Sequence, residues 1–98
     1  MKITISSNQS VITMSPNNAP AAKAMPGDTV CFETLNCYSE SIKTENDKMS
    51  LVPWDCINPA TGPLYVDGAQ PGDVLKVEIL SIELAPNGVM AIGPGAGV

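Results

Sequence analysis

The sequence predicts an all-β or β-rich fold, a sandwich- or barrel-like half-domain, and three observations carry that expectation. Short apolar–polar alternations recur along the chain, turn residues interrupt them about every 8–12 residues, and one turn–strand unit occurs twice. In that echo, Ala24-Met-Pro-Gly-Asp-Thr-Val-Cys-Phe-Glu-Thr-Leu35 aligns with Ala69-Gln-Pro-Gly-Asp-Val-Leu-Lys-Val-Glu-Ile-Leu80. Pro, Gly, Asp and Glu stand at the same offsets. Two copies are too few for a repeat protein, but they suggest two corresponding places in a sandwich or barrel.

Taken in chain order, Ile3 and Ile5 alternate with polar residues and read as a first strand, and Val11-Ile-Thr-Met14 reads as another. Pro16-Asn-Asn-Ala-Pro20 is a turn. The first Pro-Gly-Asp unit comes next. Pro26 presets φ at the second turn position, Gly27 accepts positive φ at the third, and Asp28 caps the exit into a strand. On that strand Val30 and Phe32 share a face, Glu33 points the other way, and Cys31 reads as a core position. Residues 39–51 lack Gly and Pro and can hold a helical turn, but they show no apolar stripe. Asn58-Pro-Ala-Thr-Gly-Pro63 is a stiff loop leading into the short strand Leu64-Tyr-Val66. The second unit then starts a longer strand with Leu75, Val77 and Ile79 on one face and Glu78 on the other. Its apolar phase changes to Leu80, Ile82 and Leu84. Either a bulge lies near Ile79-Leu80 or the far half is buried on both faces, and the bulge is favoured. Pro86-Asn-Gly88 is a further turn.

The chain has 98 residues, enough for a single domain over 1–98 with a modest core. Apolar residues make up 44%, too many for a disordered tail, while aromatics are only 4%. The core must therefore come from Val, Ile, Leu, Ala and Met. A net charge of −5 with five basic residues and no basic cluster argues against nucleic acid. No apolar run approaches the ~20 residues of a membrane span, and the start lacks the apolar stretch of a secretion signal. A soluble, cytoplasmic protein is expected. Cys31, Cys37 and Cys56 are an odd set without CxxC spacing and read as free thiols, with Cys56 beside Trp54 in a core or supporting position. The absence of histidine excludes Ser-His-Asp and Cys-His arrangements built from this chain alone, as well as a blue-copper site.

Residues 58–79, from the Asn58-Pro-Ala-Thr-Gly-Pro63 loop through the second unit, closely resemble the acetamidase/formamidase family, enzymes that hydrolyse small linear amides to a carboxylate and ammonia. The resemblance extends back to Pro26-Gly-Asp-Thr-Val-Cys-Phe-Glu-Thr-Leu-Asn-Cys-Tyr-Ser-Glu-Ser-Ile42 and forward to Gly93-Pro-Gly-Ala-Gly97, in the family's order and spacing. It implies the N-terminal portion of a longer fold, since this chain stops where the middle of family members begins. Their later His-containing segments are absent, and Val11-Ile-Thr13 stands where many relatives carry an early histidine. A divalent metal is a further implication.

The candidate chemistry gathers on two loops. At Asn36-Cys37 the family usually carries Asp-Cys, with the carboxylate in the active-site region. An amide there can hydrogen-bond a substrate carbonyl but cannot act as a base; the alternative is a turn residue ending a strand. Cys37 is a candidate nucleophile that lacks a cationic neighbour in sequence. On the second loop Asn58, Thr61 and Gly62 are candidate substrate-binding positions, with Tyr65 projecting from the next strand. A stiff loop lets backbone approach a ligand closely, and a purely structural turn is the alternative. Glu40, Glu45, Asp47 and Asp55 can supply acid–base or cation-binding oxygens, although in so polar a stretch a solvated surface explains them as well. Gly93-Pro-Gly-Ala-Gly97 is neither a Walker motif nor a dinucleotide loop.

The expected function is the N-terminal part of a hydrolase acting on C–N bonds of linear amides, inactive alone. The alternative is a non-catalytic β-domain or relic. The expected partners are a small amide, further copies of the chain as a homo-oligomer, or a complementary C-terminal chain.

Overall fold

The structure is a computed structural model that describes residues 1–93 and residue 95. It is β-rich, and among the described residues the helical content is confined to two 3-10 turns, Met49–Leu51 and Trp54–Cys56. Six short strands run in the order β1 (Lys2–Ile5), β2 (Ser10–Val11), β3 (Ala22–Ala24), β4 (Thr29–Phe32), β5 (Ala60–Thr61) and β6 (Leu64–Val66). They form three two-stranded sheets: β1 with β4, parallel; β2 with β5, antiparallel; and β3 with β6, parallel.

β1 obeys its alternation, with Ile5 fully buried, Ile3 half-buried, and Lys2 and Thr4 exposed. Its register against β4 runs from Lys2↔Thr29 to Ile5↔Phe32. The ladder is extended by Thr29 N–H to the Met1 carbonyl and Glu33 N–H to the Ile5 carbonyl, each 3.0 Å. The charged N-terminus closes the same end on Asp28 Oδ1 at 3.0 Å. In the other parallel pair, Ala22, Lys23 and Ala24 lie opposite Leu64, Tyr65 and Val66. Bonds from Ala21 N–H to the Pro63 carbonyl and from Asp67 N–H to the Ala24 carbonyl, both 2.8 Å, lengthen it.

The Pro-Gly-Asp turns share one geometry. In the first, Gly27 has φ 92°, Asp28 N–H donates to the Met25 carbonyl at 3.0 Å, and Asp28 Oδ2 accepts the Met25 N–H at 2.8 Å. In the second, Gly72 has φ 94°, Asp73 N–H donates to the Gln70 carbonyl at 3.0 Å, and Asp73 Oδ2 accepts the Gln70 N–H at 2.9 Å. Each is a type II turn clamped by its own aspartate.

Beyond the two turns the chain behaves differently. The first turn delivers β4. After the second, the expected long strand joins no sheet among the described residues, so there is no ladder to carry a bulge at Ile79-Leu80. Residues 73–88 are exposed on both parities, with Leu75 66%, Val77 72% and Ile79 74% accessible. The chain then returns at Val89–Ala91, where Ala91 N–H reaches the Tyr38 hydroxyl at 3.3 Å. This arm explains the elongated shape: the radius of gyration is 16.3 Å, against about 13 Å for a compact domain of this length.

The core is correspondingly small. Ile5, Ala24, Tyr38 and Ile42 are the buried apolar residues among those described. Several positions expected in the core lie outside it. Phe32 remains 44% exposed and Cys31 is exposed although they stand on opposite faces of β4, so neither face is fully covered there among the described residues. Trp54 is 87% exposed and Cys56 half-buried, so that pair does not form a core. The strand expected at Val11–Met14 shortens to Ser10–Val11. The Gly93–Gly97 loop lies largely outside the described residues, which include only Gly93 and Gly95 of it. No helix among the described residues is long and apolar enough to cross a membrane.

Candidate functional site

The loop after β4 is organised by Asn36. Its Oδ1 accepts the N–H groups of Tyr38 (3.0 Å) and Glu40 (2.9 Å), and its carbonyl accepts the N–H of Ser39 (3.0 Å). In return, Asn36 N–H donates to Glu40 Oε1 at 2.9 Å. These bonds hold Ser39 (φ 51°) and Glu40 (φ 63°) in the left-handed region, which disfavours residues with a side chain. The Asn36 side-chain oxygen therefore works inside the turn.

The second loop is tied to the first. Asn58, itself left-handed at φ 55°, donates its N–H to the Cys37 carbonyl at 2.8 Å. Ser39 Oγ donates to the Cys56 carbonyl at 2.6 Å. Asn58, which lies far from Asn36 and Cys37 in the sequence, thus forms one unit with them. Cys37 is exposed. Cys56 is a poor nucleophile: desolvation, and then the Asp55 carboxylate beside its sulfur at 3.7 Å, push its thiol above the ordinary value.

Thr61 and Gly62 belong to a neighbouring cluster. Thr61 lies opposite Ser10 in the β2–β5 pair, and its hydroxyl donates to the Glu33 carbonyl at 2.7 Å. Gly62 is buried, donates its N–H to the Gln9 carbonyl at 2.8 Å, and precedes Pro63 through a cis peptide bond. Its φ of 126° and the 3.3 Å from a would-be Cβ to the Leu64 nitrogen leave glycine the only unstrained residue there. Thr61 and Gly62 line an open, largely apolar groove of about 300 Å³ together with Val11, Met14 and Asn18. Tyr65 does not join them. It stands half-exposed on β6 with the Lys23 ammonium 5.7 Å from its ring centroid.

Glu40, Asp47 and Asp55 serve local structure. Asp47 Oδ2 accepts the N–H groups of Lys43 (2.8 Å) and Thr44 (3.0 Å), and these bonds hold its carboxyl below its ordinary value. Glu40 is committed to Asn36, and Asp55 to Cys56. Among the described residues no three His, Cys, Asp or Glu side chains are grouped to hold a metal ion, so the residues present do not by themselves fit the divalent metal that the resemblance implies. Two contributors escaped sequence reasoning. Ser39 bridges the loops, and no pattern in the sequence marks it. Tyr38 is buried at 8% exposure, and its signal was available as a lone aromatic in a polar loop.

No curated protein matches the chain. Among solved structures, an acetamidase from Bacillus halodurans is 41% identical with a TM-score of 0.69, over 71% of this chain and 24% of that one. A protein from Thermoanaerobacter tengcongensis, described as a predicted acetamidase/formamidase, is 38% identical with a TM-score of 0.69, over 74% of this chain and 24% of that one. The chain thus spans about a quarter of the length of either structure. The sequence model of the acetamidase/formamidase family matches residues 7–93, nearly the whole chain, and on that match this protein belongs to the acetamidase/formamidase family.

Proposed function

We propose that these 98 residues are the N-terminal part of a hydrolase that cleaves the C–N bond of small linear amides, and that they are inactive alone. The observation that carries the reading is the joining of the two loops singled out by the family resemblance, through Asn58 N–H on the Cys37 carbonyl and Ser39 Oγ on the Cys56 carbonyl. Amide hydrolysis needs an activated water or nucleophile, donors for the tetrahedral oxyanion, and an acid for the departing ammonia. The joined loops offer a wall carrying the exposed Asn58 side chain, suited to binding and orienting an amide substrate. Of the carboxylates singled out, Glu40 and Asp47 are engaged in turns and Asp55 lies against the Cys56 thiol, and in this reading the base and the acid come from polypeptide beyond these residues, either continuous with the chain or separate from it. The three free thiols suit a cytoplasmic address.

The test is ammonia release from formamide and acetamide, with and without added divalent metal. The chain is assayed alone and together with the remaining three quarters of the Bacillus halodurans acetamidase. Release only from the complemented sample is expected. Release by the chain alone would place a complete site within it and overturn the division of labour. Silence from a folded, complemented sample whose native fragment pair is active would remove the chain from the amidase reading. A second reading, a non-catalytic β-domain, is favoured by one observation, the exposed apolar arm after Asp73.

A further inference from the structure

Among the described residues the non-glycine positions with left-handed backbone are Ser39 (φ 51°), Glu40 (φ 63°) and Asn58 (φ 55°), and all of them lie in the two joined loops. Backbone of this kind disfavours residues with a side chain, Asn least of all. It persists where its surroundings over-determine it, and it gathers at ligand-binding and active sites. Asn58 is held on both sides. Its own N–H donates to the Cys37 carbonyl at 2.8 Å, and just before it the Cys56 carbonyl accepts the Ser39 hydroxyl at 2.6 Å. After it, Pro59 fixes its own φ, and the Thr61 hydroxyl donates to the Glu33 carbonyl at 2.7 Å. Segments 33–39 and 56–61 therefore run antiparallel, and hydroxyl side chains make the ties at both ends.

Ser39 carries the argument furthest. Glycine fits φ 51° without strain but has no hydroxyl; serine tolerates the strain and makes one short hydrogen bond to the far loop. The Asn36 side-chain oxygen and the Glu40 carboxylate are engaged within their own turn, which leaves the exposed Asn58 carboxamide to meet a substrate. We propose that Ser39 is a positioning residue: through the Cys56 carbonyl it sets the backbone of Asn58, and Asn58 contacts the amide. A primary amide presents a carbonyl acceptor and N–H donors, and the Asn58 carboxamide offers the converse of each. The inference rests on the amidase reading and adds Ser39 to it. A group fixed in this way binds substrate and transition state alike, so its displacement appears in KM.

The test is steady-state ammonia release from acetamide by the chain complemented with the remaining three quarters of the Bacillus halodurans acetamidase, with hydrogen exchange at the Asn58 amide as the second readout. Ser39→Ala keeps the strained backbone and loses the hydroxyl. Ser39→Gly relieves the strain and also loses the hydroxyl, so the two variants differ in stability but share the missing bond. In both, Asn58 is expected to exchange about tenfold faster, and KM to rise about fivefold or more with kcat within about twofold of wild type. A merely structural serine gives the opposite pattern: kcat falls with the folded fraction at constant KM, and Ser39→Gly matches or exceeds wild type. That pattern, or unchanged exchange at Asn58 in both variants, would overturn the proposal. Silence from the wild-type complemented sample, with an active native fragment pair, removes the amidase reading and the Ser39 assignment with it. Faster Asn58 exchange in the variants then identifies the reading, and not the tie, as what failed.

Discussion

Replacing Asn36 separates its two readings, as a turn residue and as a group presented to substrate. Asn36→Ala deletes the acceptor for the N–H groups of Tyr38 and Glu40, at 3.0 and 2.9 Å. Each bond contributes about 0.5–1.5 kcal/mol net, and water replaces part of it at a partly exposed turn, so the loss is about 1–2 kcal/mol. The same bonds offset the left-handed backbone of Ser39 and Glu40, so their removal should loosen the whole loop and its tie to Cys56. Asn36→Asp keeps an oxygen in the same place, and stability should fall by less than about 0.5 kcal/mol. The assay is urea unfolding with residue-resolved hydrogen exchange. Tyr38 and Glu40 amides should exchange about tenfold faster in the Ala variant and stay close to wild type in the Asp variant. Equal loss in both variants would refute the acceptor argument. Unchanged exchange in the Ala variant would refute the claim that Asn36 organises the loop.

Three other residues give outcomes of the same kind. Gly62→Ala should cost roughly 1–3 kcal/mol by thermal or urea unfolding, because φ 126° and the 3.3 Å approach to Leu64 act together, whereas Gly88→Ala, with nothing near its would-be Cβ, should change little. Cys56 should be alkylated more slowly by iodoacetamide at neutral pH than exposed Cys31 or Cys37, and Asp55→Asn should speed its labelling, both read by peptide mass mapping. Asp28 has its carboxyl lowered by the Met25 N–H first and the N-terminal ammonium second. Because the folded value lies below the unfolded one, its stabilising contribution is present above the ordinary carboxylate range. That contribution is lost as pH falls through the lowered value. An acid titration of Asp28→Asn should be flatter than wild type over that window, and parallel curves would remove Asp28 from the account.

Much of the local structure was legible because it depends on few neighbours. Alternation at Ile3 and Ile5 marked β1, the Pro-Gly-Asp signature marked both type II turns, and the strand after Pro63 appeared as β6. Ala22–Ala24 and Ala60–Thr61 were missed as strands, since segments of two or three residues between prolines carry no periodic signal. The joining of Cys37 to Asn58 was not legible either. It depends on a backbone carbonyl and a backbone N–H, which every such residue carries. Cys31 was misplaced for a different reason: alternation says which residues share a face, but not whether anything covers that face.

The two turns make the same distinction within one molecule. Met25–Asp28 and Gln70–Asp73 close with matching hydrogen bonds and nearly equal glycine φ values, so the turn is set by four residues and their own side chains. Past the turn the local rule ends. β4 becomes a strand because β1 lies beside it and accepts its ladder, while the more apolar chain after Asp73 lies beside nothing among the described residues and stays exposed. A partner for that chain must therefore supply both a ladder and an apolar face, which four turn residues cannot do.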